Sequence, residues 1–127
     1  MTGNFYTQVK TNRLNPTQFA YGLLMATQTA KQYGCKSIAV AEFGVFNGRG
    51  LRLMASMTER LSRQSGVAIK VYGFDTGDGI PAPKDNRDLP HMSAGGGYAV
   101  SSVEALRLEL QGKAELVIGD IGAIDTL

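Results

Sequence analysis

The chain has 127 residues and a net charge of +2 from 13 basic and 11 acidic side chains. That is the size of one domain with no basic stripe, which removes the electrostatic case for nucleic acid. Hydrophobic residues at 43% and charged residues at 19% exclude a disordered chain.

Cys35 is the only cysteine, so no intrachain disulfide or thiolate metal cluster is expected. The opening "MTGNFYTQVKTNR" lacks a secretory pattern, and no window nears the roughly 20 apolar residues of a membrane span. A cytoplasmic protein that does not enter the membrane is the expectation.

Residues 1–15 are polar and read as an irregular N-terminal arm. In "NPTQFAYGLLMATQTAKQYG", Asn15 is a candidate N-cap, Pro16 suits the first helical position and Gly34 marks the stop. Phe19, Leu23, Ala26 and Ala30 form one apolar face of this helix. Residues 37–45, "SIAVAEFGV", read as a buried parallel strand.

"RGLRLMASMTERLSRQSG" predicts a second helix with Leu51, Met54, Ala55, Thr58 and Leu61 on its apolar side. Residues 67–76 are the second strand. Residues 77–98, rich in glycine and proline, form a long loop of the kind that is functional or mobile. Ser101 and Glu104 have capping-box spacing before a third helix that Gly112 stops, and residues 114–121 are the third strand. Strands alternating with helices predict half of a doubly wound α/β sheet, in one domain over residues 1–127.

In such a sheet, ligands bind beyond the carboxyl ends of the strands. Gly44 and Gly48 bracket the turn after the first strand, where glycine permits close ligand approach and positive φ. Glu42, Asp75 and Asp120 end the three strands in acids. A carboxylate there repels pyrophosphate and attracts an ammonium group, and another can accept hydrogen bonds from a ribose diol. S-adenosylmethionine offers an amine, a ribose, an adenine and a positive sulfonium.

"AEFGVFNGRG" resembles the first motif of class I S-adenosylmethionine-dependent methyltransferases. "VYGFDTGDGIP" and "ELVIGD" resemble the second- and third-strand segments of the macrocin O-methyltransferase-like group, and the interval from Glu42 to Asp75 also suits that group. The resemblance covers residues 37–121, the N-terminal half of the family domain. It implies a Rossmann-like three-layer αβα fold with parallel strands and O-methyl transfer to a small-molecule acceptor in the complete enzyme.

On matching positions, the resemblance implies that Glu42, Gly44, Phe46, Asn47 and Gly48 form the turn along the methionine part of the cofactor. Asp75 and Thr76 would stand at the ribose, and Asp120 with Ile121 at the adenine. Phe46 stands where many methyltransferases have a glycine, and the O-methyltransferase branch carries an aromatic there. S-adenosylmethionine is thus the expected cofactor and S-adenosylhomocysteine the product. The resemblance places no catalytic residue and no metal-binding residue on this chain, because the family's acceptor pocket and metal-binding acids come from later strands. A fragment or a shortened relative is therefore the expectation, with a homo-oligomer formed over the first-strand edge.

A non-catalytic binding or assembly module that keeps the fold is the alternative from a different class. A nicotinamide dinucleotide site would need a third glycine where Leu53 stands, and no P-loop sequence is present. His91 in the long loop is either an exposed side chain or a base for an acceptor hydroxyl. Arg49 and Arg52 are either solvated or paired with Glu42 or a neighbouring acid.

Overall fold

The computed structural model describes residues 4–11, 13, 17–92, 94–120 and 122. In chain order the elements are α1 (Phe5–Lys10), α2 (Thr17–Gln32), β1 (Ser37–Phe43), α3 (Arg49–Ser65), β2 (Ala68–Asp75), α4 (Val103–Leu110) and β3 (Glu115–Ile118). β1 pairs with β2 and β2 with β3, both in parallel, so the spatial order repeats the chain order. The fold is α/β with one parallel sheet. Among the described residues, no helix is long and apolar enough to cross a membrane.

The apolar stripe of α3 is buried as its spacing predicts, with Met57 added, and Gly66 in the left-handed region ends the helix. The buried face of α2 is formed by Ala20, Leu23, Leu24, Thr27 and Ala30, while Phe19 and Ala26 lie at its half-buried margins. Thr27 joins this face because its hydroxyl donates to the Leu23 carbonyl at 2.7 Å, which satisfies the polar group. Asn15 and Pro16 lie outside the described residues. α4 begins one residue later than the capping-box spacing predicts: Ser102, not Ser101, accepts the Ala105 N–H.

The expected irregular arm is corrected by α1. Asn4 caps this short helix, and Phe5 and Val9 are buried against α2 and α3. Its backbone is tied down by the Phe5 N–H donating to the Gln64 side chain at 3.0 Å. A helix of six residues has too few internal hydrogen bonds to persist alone, so docking sustains it. Polar composition conceals this because only two of its side chains, Phe5 and Val9, are buried.

The layers also differ from expectation. Right-handed crossovers that step in the same direction put their helices on the same face of a sheet. Val40, Ile69, Val71, Leu116 and Ile118 accordingly join one core with α1, α2, α3 and α4. Ala39, Ala41 and Phe43 alternate to the other face and are exposed. The described residues therefore build two layers, not the three-layer αβα sandwich, and β1 is a half-open edge strand rather than a fully buried one. On the open face Phe43 stacks on Phe74 at 5.1 Å between ring centres, and Tyr72 lies 6.5 Å from Phe74.

Truncating a fully buried aromatic costs about 3–5 kcal/mol. Phe5→Ala is expected to lower unfolding stability by an amount in that range in urea titrations. A loss of only a few tenths would show that α1 is not docked in solution.

Candidate functional site

The site is built on the turn that joins β1 to α3. The ladder continues one step past β1, with the Gly44 N–H donating to the Phe74 carbonyl at 2.8 Å, and Gly44 then turns at φ 84°. The next two N–H groups, of Val45 and Phe46, donate to the same Asp75 Oδ2 at 2.6 and 3.0 Å. Oδ1 of Asp75 accepts the Gly77 N–H at 2.8 Å. Burial works against the Asp75 charge, but N–H groups of Gly77, Phe46, Val45 and Thr76 outweigh it and hold its pKa below the ordinary value.

Asp75 is thus first a clamp that ties two strand ends together. Three close hydrogen bonds, with the Thr76 N–H also acting on it, leave little of a carboxylate's roughly four acceptor positions open. Phe46 sits at φ 51°, the conformation for which a glycine is ordinarily used at this place. The clamp explains how a phenylalanine is held there.

Glu42 has a different place from the one the resemblance implies. Strand alternation carries it to the helix side, beneath the start of α3, where a Cβ on Gly50 would lie 1.9 Å from Oε1. Burial pushes its pKa up, partly offset by a hydrogen bond from the Leu51 N–H. Its Oε2 is buried without a partner. The N-cap of α3 is Gly48, which has no side chain to offer, and no acid stands in the first turn. The Glu42 carboxyl reaches this helix end from the neighbouring strand and accepts the Leu51 N–H there.

A cavity of about 410 Å³ opens beyond the carboxyl ends of the strands. That is within the range of about 300–1,000 Å³ for small-molecule and cofactor sites. Of the sequence-predicted site residues, it brings together Gly44, Phe46, Asp75, Thr76 and Asp120. Glu42, Asn47 and Gly48 do not line it. Ile121 lies outside the described residues.

Gly48 turns at φ 77°, as its place in the turn predicts, and a Cβ there would also come within 2.5 Å of Leu106 on α4. The Asn47 carbonyl accepts Arg52 Nη1 at 2.6 Å, away from the cavity. Arg52 pairs with Glu109 rather than Glu42, bridging α3 to α4 on the surface. His91 is exposed and does not line the cavity.

Six lining residues escaped the sequence reading: Phe43, Phe74, Gly79, Ile80, Tyr98 and Gly119. The first two are alternate positions of strands that read as continuous apolar runs. Tyr98 follows the glycine run at 95–97, which was the available signal. The long loop is also closed at its base: the Ile80 and Gly97 backbones bond at 2.8 Å, Gly96 and Ile80 at 2.7 Å, and Val100 and Gly77 at 2.9 Å. A Cβ on Gly79 would meet the Gly97 carbonyl at 2.4 Å, so this clasp requires its glycine.

No protein-family model, no curated protein and no solved structure matches this chain.

The two half-buried acids predict opposite pH responses. Asp75, with a depressed pKa, contributes stability that is present above the ordinary aspartate value of about 3.9 and is lost as pH falls through its lower folded value. Glu42, with a raised pKa, makes stability fall as pH rises from its ordinary value through its folded one. In urea titrations across this acid-to-neutral range, Asp75→Asn is expected to cost about 1–3 kcal/mol at neutral pH and to flatten the acid limb. Glu42→Gln should be more stable than the native chain at neutral pH. Unchanged profiles in both variants would contradict these roles.

Proposed function

We propose that the chain is the S-adenosylmethionine-binding part of a class I methyltransferase related to the macrocin O-methyltransferase-like group. The observation that carries this reading is the cavity at the carboxyl ends of the parallel strands, with Asp75 and Asp120 among its lining residues. Its donor set fits the cofactor. The acceptors suit hydroxyl and amine groups, the aromatic walls suit a planar base, and two carboxylates disfavour a phosphate.

In this reading Gly44 and the backbone of Phe46 form the wall toward the methionine part of the cofactor. Asp75 accepts from a ribose hydroxyl in competition with its backbone donors. Thr76 flanks the ribose, and the exposed Asp120 carboxylate accepts from the adenine amino group. Glu42 acts indirectly, by fixing the end of α3 and hence the turn. When bound, the cofactor supplies a methyl group already activated by its sulfonium, and these residues bind and orient it.

A cytoplasmic setting belongs to the same reading and is supported by the single exposed cysteine. In this reading the methyl acceptor is a small molecule. The alternative, a non-catalytic binding or assembly module, is supported by one observation: the turn already occupies most of Asp75.

Isothermal titration with S-adenosylmethionine and S-adenosylhomocysteine tests the reading. Saturable binding is expected, weakened roughly tenfold in Asp120→Ala, as befits loss of a charged hydrogen-bond partner. Absence of binding by the folded native chain would hand the lead to the assembly module.

Self-association is expected in either case. The outer edge of β1 has no strand partner among the described residues, and it carries no lysine or proline to discourage pairing. Light scattering should show mass rising with concentration. A monomer at high concentration would reject this expectation.

A further inference from the structure

Among non-glycine residues described, only Phe46, Leu89 and Tyr98 have positive φ. Phe46 and Tyr98 come from different loops and meet at the cavity, edge to face, with ring centres 5.3 Å apart and planes at 87°. A bulky residue in the left-handed region costs about 1–3 kcal/mol. Burial does not compensate for that cost at Tyr98, whose surface is 67% exposed, and only partly does so at Phe46, 40% exposed.

Both backbones are instead held by hydrogen bonds made elsewhere. The Phe46 N–H is fixed by Asp75. Tyr98 lies between Gly97 and Val100, whose backbones close the base of the loop onto Ile80 and Gly77. Two separate networks thus hold two exposed aromatic rings, in unfavourable backbone conformations, over one cavity. Edge-to-face packing is worth about 0.5–1.5 kcal/mol and leaves a ring face open. Folding alone does not account for this arrangement.

We propose that Tyr98 is a ligand-contact residue that seats a planar purine base against the Phe46–Tyr98 pair. The purine class follows from the lining. Aromatic faces stack on any base, and Asp120 in the same cavity is an acceptor suited to an exocyclic amino group, which adenine carries. The ring of Tyr98, rather than its hydroxyl, makes the contact. This inference rests on the cofactor reading for the identity of the whole ligand, although the base seat itself is defined by the two rings.

The test is calorimetric titration of adenosine and of S-adenosylhomocysteine into the native chain, Tyr98→Phe, Tyr98→Ala and Tyr98→Gly, with thermal melts of each. Loss of one base-stacking partner weakens binding about tenfold or more. Tyr98→Ala and Tyr98→Gly are expected to show that loss for both ligands, and Tyr98→Phe to bind as the native chain does. Tyr98→Gly should melt higher than Tyr98→Ala, because glycine relieves the backbone strain while removing the ring.

Native affinity for S-adenosylhomocysteine retained in Tyr98→Ala would overturn the base seat and leave the cofactor reading standing. Adenosine binding that depends on the Tyr98 ring, without binding of S-adenosylhomocysteine, would support the seat and overturn the cofactor reading. Failure of both ligands to bind the folded native chain would overturn both.

Discussion

The carboxylate of Asp75 is the interaction on which the rest of this structure depends. It stands at the last position of β2 and receives two successive N–H groups from the turn that leaves β1. Parallel strands have no tight hairpin to fix how they end relative to one another, so something else must align them. Here one side chain does so. The bonds set where β1 stops, force Phe46 into a left-handed turn and launch α3 across the sheet. Charge assistance makes these bonds stronger than neutral ones, which suits a turn that must hold strain.

Close approach of α3 to the sheet is the second constraint, and small residues permit it. A Cβ on Gly73 would meet Leu51 at 2.6 Å and Val45 at 2.8 Å, and Gly50 leaves room for Glu42. The helix therefore lies low on β2, with Leu51 fully buried beneath it. The same closeness buries the Glu42 carboxylate, so packing of the core and electrostatics of the helix end are coupled through a single glycine. Strand alternation turns Glu42 away from the cavity, leaving the wall to Gly44 and Phe46.

Much of this was legible in the sequence. Helical spacing located α3 and its buried stripe, β-branched runs located the strands, and their alternation implied parallel pairing. Five of the proposed site residues meet in the cavity, because acids and glycines at strand ends fall where strand-to-helix turns form. The direction of Glu42 was not legible, since an apolar run of seven residues does not say which side is covered. Nor was α1, whose existence depends on Phe5 meeting partners near Gln64, far along the chain. Gly48 was readable as a special residue but not as a packing one, because the atom it avoids belongs to Leu106. Tyr98 needed the loop closure, which depends on backbone bonds between residues almost twenty positions apart.

The closed base of the long loop also bears on how such a chain tolerates change in length. The segment after Ile80 leaves and returns at one point, where Ile80 is bonded to Gly96 and Gly97. Doubling a flexible loop whose ends are already joined costs only about 0.6 kcal/mol in closure entropy. Insertions and deletions within this span are therefore absorbed locally, leaving Tyr98 and the strand ends in place. The clasp makes the segment a natural port for grafted sequence, which can vary without disturbing the sheet that supports it.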